Sequence, residues 1–530
     1  MNTVQSDSFS NSFRHLWLYI TVFITGAAVM VIELLGTRLI APFYGASLYV
    51  WTSVIAVTLI ALALGYFIGG HWADRARRAG LAFIIALAGF LTLLVPWLTA
   101  PVLLATDPLG LRMGTFISTL VLFTPSLLML GMVGPFAVKR ATSSLDGVGA
   151  STGSIYAVST VGSVIGTLFL GFYLFPQVGS REIFIGLGIA LLALSFCVIY
   201  FEREHIRPAY ALPSVAVITL AGAILLPYIM VSGNQLLTSE DQFQTRFERE
   251  SLYGWVRVID NPNDNYRLLT VDASAIGAAT ISHSENILTY QEIVSLLPAL
   301  APGMKHALLI GQGAGHMVTT LMRHGIRTDT LEIDPVVAEA ARDYFDFAPT
   351  GKTIIGDARY EIRKLQGPYD LIILDVFTGG AEPVHLLTVE TMRQLQTLLS
   401  DHGIMALNFV AFFEDGKNPA LASVAKTLAQ VFPHQIALIS EPGHEFNDFI
   451  FLAADFPIII ESDNPDKAVA VNRLRYDQSH WLKQRVVHLD WSHGVILTDN
   501  LNPLESIQTR KSEQYRLMMI DSIGLNHFIR

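Results

Sequence analysis

Between His306 and Asp375 the chain offers a glycine-rich turn and three carboxylates, each placed just after a short apolar run. HALLI leads into Gly311-Gln312-Gly313-Ala314-Gly315, TLE ends on Glu332, TII is followed by Gly356 and Asp357, and YDLIIL is followed by Asp375. Glycines at this spacing let a backbone turn tightly and approach a ligand closely. Taken alone, they read equally well as an ordinary strand-to-helix turn. Glu332 lies about 20 residues further on, where a carboxylate can accept both hydroxyls of a ribose. Asp357 can accept a hydrogen bond from an exocyclic adenine amine. Gly311, Gly313, Gly315, Glu332 and Asp357, with the adjoining Ala358, therefore predict an adenosine pocket. Asp334 reads as a helix N-cap. Asp375 is a candidate for acid–base chemistry, with a helix cap as its plain alternative.

Such residues need a scaffold that presents strand ends, and the sequence supplies one. Strands are expected near 306–311, 329–333, 353–356, 370–375, 403–408, 435–440 and 448–453, and helices at 315–325, 335–346, 386–399 and 417–431. Alternation of this kind predicts a doubly wound α/β sheet, with ligands at the carboxyl ends of its strands. Only Glu441 to Asn447 separates the last two strands, so they should form an antiparallel hairpin. Upstream, WVRVID (255–260) and RLLTV (267–271) flank NPND and predict a short β-hairpin.

The first 231 residues are of a different kind. Of the 530 residues in the chain, 52% are hydrophobic and 15% charged, where a soluble protein would have roughly a quarter charged. Residues 1–231 carry a net charge of +3 and residues 232–530 one of −13. Apolar runs near 17–40, 51–70, 81–104, 114–137, 153–175, 183–201 and 210–231 approach the ~20 residues that a bilayer crossing requires. The first run is too long for a signal-peptide core and reads as a retained helix. Gly65-x-x-x-Gly69 and Gly162-x-x-x-Gly166 have helix-packing spacing. Glu33 and Arg38 lie within the first run; Glu33 is either a site for a polar ligand or half of a structural pair with an Arg. Cys197 sits in an apolar run and is expected to be buried. Arg14, Arg75, Arg77, Arg78, Lys139, Arg140, Arg203 and Arg207 fall on one side of a seven-span bundle, which should be cytoplasmic. The acidic half would then be external, in conflict with supply of a nucleoside from the cytosol, and its side stays open.

The domain layout expected is a transmembrane bundle over 1–231, a β-strand subdomain and linker over 232–300, and a Rossmann-like nucleoside domain over 301–530. An acidic surface disfavours nucleic acid and suits small cationic substrates. His480, His488 and His493 lack a ligand register, and no metal is expected.

Residues 245–455 resemble the spermidine synthase (polyamine aminopropyltransferase) family, which shares the class I methyltransferase fold. The matching segments are SLYGWVRV, LLTVDA, TYQEIVSLLP, LLIGQGAGH, LEIDP, GDAR and YDLIILD. IELLGTRLIAPFYGASLYVW and LGYFIGGHWADR are similar to the helical part of membrane-fused members. The resemblance implies decarboxylated S-adenosylmethionine or S-adenosylmethionine as co-substrate, a small amine as acceptor, a membrane location and pairing into a homodimer. It casts Asp375 as the catalytic acid. Tyr290 and Gln291 would line the amine channel, and Glu332 and Asp357 would hold ribose and adenine. Thr378 and Glu382 fall in the amine-binding loop. Three positions depart from the family pattern: Ala314 replaces an Asp of the glycine loop, Thr378 a second Asp after Asp375, and Ile276 a Gln. Each lost charge-assisted bond removes about 1.5–3 kcal/mol. Glu382 could compensate, although a loop glutamate is usually solvated.

Three functions remain open on the sequence. One is a membrane aminopropyltransferase with an altered amine site. Another is an S-adenosylmethionine-dependent methyltransferase acting on a membrane-delivered substrate. The third is a transporter or sensor with a non-catalytic synthase-like domain.

Overall fold

A computed structural model describes residues 2–45, 47–75, 80–142, 147–202, 208–230, 242–301, 303–377, 382–460 and 473–529. The chain divides into two compact units, Met1–Ser239 with Gly524–Arg530, and Glu240–Ile523. Thr378 lies outside the described residues.

The first unit is built of α1 (Asn2–Tyr44), α2 (Leu48–Arg75), α3 (Leu81–Thr106), α4 (Gly110–Ala141), α5 (Val148–Phe169), α6 (Ser180–Glu202) and α7 (Pro208–Met230), one for each apolar run. Five stretches are long and apolar enough to cross a membrane: Leu16–Tyr44, Leu48–Arg75, Leu81–Ala141, Val148–Leu174 and Ser180–Tyr200. The third takes in both α3 and α4, and the apolar part of α7, Leu212–Tyr228, is shorter. By this measure of length and composition the described residues give five candidate spans, where the sequence reading counted seven.

Glycines set the closest approaches between these helices. A Cβ on Gly65 would stand 2.5 Å from the Leu128 carbonyl oxygen, so α2 can meet α4 only because that atom is missing. Gly162 lies in the same way against the Phe23 carbonyl, bringing α5 onto α1. Between α3 and α4 the hydroxyls of Thr92 and Ser126 pair at 2.6 Å inside the bundle. One expectation is corrected. Cys197 is exposed, because it falls on the outward stripe of α6. Arg38 lies over the ring of Phe175, 4.2 Å from its centroid, an aromatic contact that the sequence reading had not considered.

The second unit opens with four antiparallel strands in sequential order, β1 (Gln244–Glu250), β2 (Trp255–Asn261), β3 (Tyr266–Val271) and β4 (Ser274–Thr280). The expected hairpin is β2–β3. It is part of a larger sheet because β1 (QTRFERE) and β4 (SAIGAAT) carry too few large apolar residues to read as strands. Next come α8 (Tyr290–Leu300), β5 (His306–Ile310), α9 (His316–Arg323), β6 (Arg327–Glu332), α10 (Pro335–Tyr344), β7 (Thr353–Ile355), α11 (Ala358–Glu361) and β8 (Tyr369–Leu374). They are followed by α12 (Val389–Gln396), β9 (Leu399–Phe412), α13 (Pro419–Leu428), β10 (His434–Ile439), β11 (Phe446–Ala454), α14 (Tyr476–Lys483), β12 (Val486–Val487), α15 (Leu504–Ile507) and α16 (Thr509–Ile523).

Strands β5 to β12 form one sheet in the order β12-β10-β11-β9-β8-β5-β6-β7. Strands β5 to β9 are parallel, and β11 runs antiparallel to both β9 and β10, as the short Glu441–Asn447 connection requires. Residues of β5 and β8 are buried on both faces, which accounts for their unbroken apolar runs. Leu308, Ile310, Ile372 and Leu374 pack toward α12 and α13, and Ala307, Leu309, Leu371 and Ile373 toward α8 and α9. The strand order reverses between β5 and β8, and the crevice at their carboxyl ends is where such sheets hold ligands.

Gly65→Leu should separate α2 from α4 and destabilise the helical unit by about 1–3 kcal/mol. Melting of the purified protein in detergent would show this as a lowered midpoint; an unchanged midpoint would mean the glycine contact is not required.

Candidate functional site

The glycine loop follows β5 and is held by its surroundings as much as by its own sequence. Gly311, Gly313 and Gly315 all have positive φ (89°, 52° and 84°). A Cβ at Gly311 would collide with the Asp375 carbonyl, at Gly313 with the Ile276 carbonyl (2.6 Å), and at Gly315 with the Phe347 ring. The glycines are thus demanded by packing before any ligand arrives. Glu332 ties the loop down. Its Oε2 accepts the N–H groups of Gln312 (3.1 Å) and Gly313 (3.4 Å), and its Oε1 accepts the Asp334 N–H (3.0 Å). Burial raises the Glu332 carboxyl to about 7, against the pull of those three backbone donors. Each oxygen still has lone-pair capacity for a hydroxyl donor. Close by, the Gln312 Nε2 is buried and has no acceptor among the described residues.

Asp334 caps α10 by accepting the Val336 N–H at 2.9 Å, as read from the sequence, and it also accepts the Ser251 hydroxyl. Asp357 caps α11, accepting the Tyr360 N–H at 3.1 Å; its side chain is half exposed, and Ala358 behind it is buried. Ala314 and Ile276, two of the departures from the family pattern, come together here. Ala314 is buried against Gly277 in one apolar cluster with Ile276. Both positions are thus apolar and in one cluster.

At the end of β8 stands an acid cluster. Tyr290, from the first turn of α8, donates its hydroxyl to Asp375 Oδ2 at 2.8 Å, and Gln291 Nε2 donates to that hydroxyl at 3.3 Å. Asn408 Nδ2 donates to Asp375 Oδ1 at 2.9 Å and to Asp448 Oδ1 at 3.3 Å. Asn408 lies on β9 and Asp448 on β11 opposite Val410, which puts both side chains on the α8 face of the sheet. Burial raises the Asp375 carboxyl; the Asn408 and Tyr290 hydrogen bonds oppose this, and the nearby Glu382 charge adds to it. Burial likewise raises Asp448 to about 7, with the charges of Asp375 and Glu382 adding to the shift. Tyr290 is pushed up by burial and by the Asp375 charge, so it remains a donor.

Glu382 does not behave as a solvated loop residue. It is buried, accepting the Val410 N–H (2.9 Å), the Gln508 Nε2 (3.1 Å) and the Lys511 ammonium (2.5 Å). The chain brings α16 onto Glu382, which sequence proximity gave no reason to expect. Asp448, Asn408, Gln508 and Lys511 are the members of the cluster that the sequence reading missed. Asn408 and Asp448 are polar interruptions of otherwise apolar strands, a signal that was there to be used. Lys511, on the polar helix α16, and Gln508, just before it, gave none.

Three amide oxygens here, Gln291 Oε1, Asn408 Oδ1 and Gln508 Oε1, are buried without a donor among the described residues. The Asn408 and Gln508 amides are oriented by the carboxylates to which they donate, so their oxygens are fixed as acceptors. Carboxylates together with orphaned acceptors make a site that fits N–H donors, as an ammonium would supply.

The raised Asp448 carboxyl has a consequence for stability. Below pH ~3.8 it is protonated folded and unfolded alike. Between there and about 7 the unfolded chain gives up the proton and the folded one keeps it, so stability falls as pH rises, and above about 7 the loss is complete. Asp448→Asn should therefore gain in melting temperature over wild type as pH rises from 4 to 7 and then hold that gain. A difference that does not change with pH would mean Asp448 titrates normally.

Residues 287–440 match the family described as the Spermine/spermidine synthase domain. Among curated relatives, an N-terminal histidine N-methyltransferase of Emericella nidulans is 32% identical over 240 residues, 40% of this chain and 42% of that protein. A polyamine aminopropyltransferase of Vibrio vulnificus is 39% identical over 114 residues, 20% of this chain and 38% of its own length. Polyamine aminopropyltransferase 1 of Streptomyces coelicolor is 22% identical over 440 residues, 78% of each chain. The first two matches thus span about two fifths of the relatives' lengths. With the glycine loop, Glu332, Asp357 and Asp375 ranged along the strand ends of a doubly wound sheet, the C-terminal part of this chain carries a segment, residues 287–440, that matches the spermine/spermidine synthase domain and is similar to that family.

Proposed function

We propose that this chain is an integral membrane transferase of the aminopropyltransferase type, moving the aminopropyl group of decarboxylated S-adenosylmethionine to an amine through an altered amine site. The observation that carries this reading is the Tyr290–Asp375–Asn408–Asp448 hydrogen-bonded chain at the strand switch point, next to the glycine loop. Glu332 takes the ribose hydroxyls, Asp357 and Ala358 face the adenine, and Gly311, Gly313 and Gly315 back the nucleoside. Gln312 Nε2 is a spare donor for the same ligand.

An alkylamine has a pKa near 10 and arrives as an ammonium. Asp375 and Asp448 attract it, and the free oxygens of Gln291 and Asn408 accept its N–H groups. Asp375, oriented by Tyr290 and Asn408 and made more basic by burial, receives the proton. The nitrogen lone pair then attacks the carbon bonded to the sulfonium. An N–C bond forms, the C–S bond breaks, its electron pair stays on sulfur, and neutral methylthioadenosine leaves. Of the remaining amine-loop residues, Thr378 lies outside the described residues and Glu382 is engaged by Lys511.

A second reading is methyl transfer from S-adenosylmethionine, with S-adenosylhomocysteine leaving. It is favoured by the apolar cluster that holds Ala314 and Ile276, which offers no acid to an aminopropyl ammonium, and by the histidine N-methyltransferase relative. The membrane reading is supported by the five apolar stretches and by large exposed apolar side chains, among them Phe67 and Phe172 on those stretches and Val217 on α7. In this layout 1–231 anchors, and the strand subdomain (232–300) and Rossmann-like domain (301–530) carry the chemistry.

Incubation with each sulfonium donor and a panel of amines, followed by mass spectrometry, separates the two readings: aminopropylated products support the first, methylated products the second, and no product with either donor overturns both. Asp375→Asn should lower turnover by roughly 10²–10⁴-fold while calorimetry finds methylthioadenosine binding retained; unaltered turnover would remove Asp375 from the chemistry. Alkaline carbonate extraction should leave the expressed chain in the membrane pellet, and release into the supernatant would defeat the integral-membrane part of the proposal.

A further inference from the structure

The acid cluster has an open side and a sealed side. Asp375 and Asp448 are partly exposed and share the Asn408 amide. Behind them, the side chains of Glu382 and Lys511 are only 1% and 3% exposed. The Lys511 ammonium rests 2.5 Å from Glu382 Oε2 and lies 4.9 Å from the Phe377 ring centroid and 5.5 Å from that of Phe409. A carboxylate flanked by aromatic faces is the chemistry that recognises an alkylammonium. Gln508, at the end of α15 just before α16, donates to the same Glu382 oxygen and keeps its own Oε1 as a buried acceptor with no donor among the described residues.

We infer that Lys511 stands in for the distal ammonium of a diamine, so that the enzyme alkylates acceptors bringing a single cationic nitrogen to Asp375 and discriminates against α,ω-diamines. This rests on the amine-alkylation reading above. Glu382 is neutralised from within, which leaves the Asp375–Asp448 pair, joined through one amide, for one incoming ammonium. A diamine would have to place its second ammonium beside Lys511, where like charges repel out of bulk water, or displace a buried ion pair. Lys511 lies outside residues 287–440, so the device is carried by α16 and not by the matched domain segment. Lys511 also holds Asp448 partly toward its ionised form, which links the sealed pair to the open one.

Lys511→Ala removes four atoms that n-propylammonium replaces. With the full chain in detergent, n-propylammonium chloride should raise the melting temperature of Lys511→Ala over sodium chloride at equal ionic strength by several degrees more than it raises that of wild type, because the variant offers the vacated Lys511 site in addition to Asp375. With the donor identified above, wild type should use n-propylamine over putrescine by about tenfold or more in kcat/KM, and Lys511→Ala should shift that ratio toward putrescine by at least about tenfold. Equal use of putrescine by wild type, an unchanged ratio in the variant, or the same thermal response in both proteins would overturn the inference. The thermal comparison needs no turnover. It therefore still reports on the Lys511 site if no amine is alkylated, an outcome that defeats the functional reading instead.

Discussion

A carboxylate withdrawn from water must be met by donors or take up a proton, and four carboxylates at one sheet edge meet that demand in four ways. Glu332 is met by three backbone N–H groups, Asp375 by the Tyr290 hydroxyl and the Asn408 amide, and Glu382 by an N–H, an amide and an ammonium. Asp448 has a 3.3 Å bond from Asn408 and two acidic neighbours, and its carboxyl rises to about 7. Donors that satisfy these acids are the same groups that hold the glycine loop, α8, β9 and α16 in place. The site and the scaffold are therefore parts of one electrostatic arrangement.

That arrangement couples the nucleoside end to the amine end. Gly311 packs on the Asp375 carbonyl, and the Asp375 N–H donates to Ile310 at 2.9 Å, so the glycine loop and the catalytic candidate share one stretch of backbone. Glu332 anchors the loop from the other side. The loop is thus held rigidly on both sides, beside the acids. Ala314 and Ile276 belong to one apolar cluster next to the loop.

The helical unit follows a different rule. Its helices meet where glycine or small residues remove a Cβ, as at Gly65 and Gly162, and its outer surface stays apolar. Close packing in a low-polarity surrounding relies on contact and a few buried hydroxyl pairs such as Thr92–Ser126. Charged chemistry is concentrated in the other unit.

Much of the second unit was legible because its signals are local. Apolar runs bounded by glycine or acid mark the parallel strands, and Glu332, Asp334, Asp357 and Asp375 sit where a strand ends and the chain turns. Spacing along one strand–helix repeat is enough to find such residues, and seven apolar runs are enough to find seven helices. Strands β1 and β4 escaped, since their pairing supplies the stability that their composition does not. In the acid cluster, Asp375, Tyr290, Gln291 and Glu382 were legible, but the partners that bury and orient them escaped. Asn408 and Asp448 share a face only through the β9–β11 register, and Lys511 reaches Glu382 from 129 residues away along the chain. The sequence by itself determined which residues end the strands, because backbone turns are short-range. Only the tertiary structure decided which charges are buried together, because burial depends on what distant chain covers them.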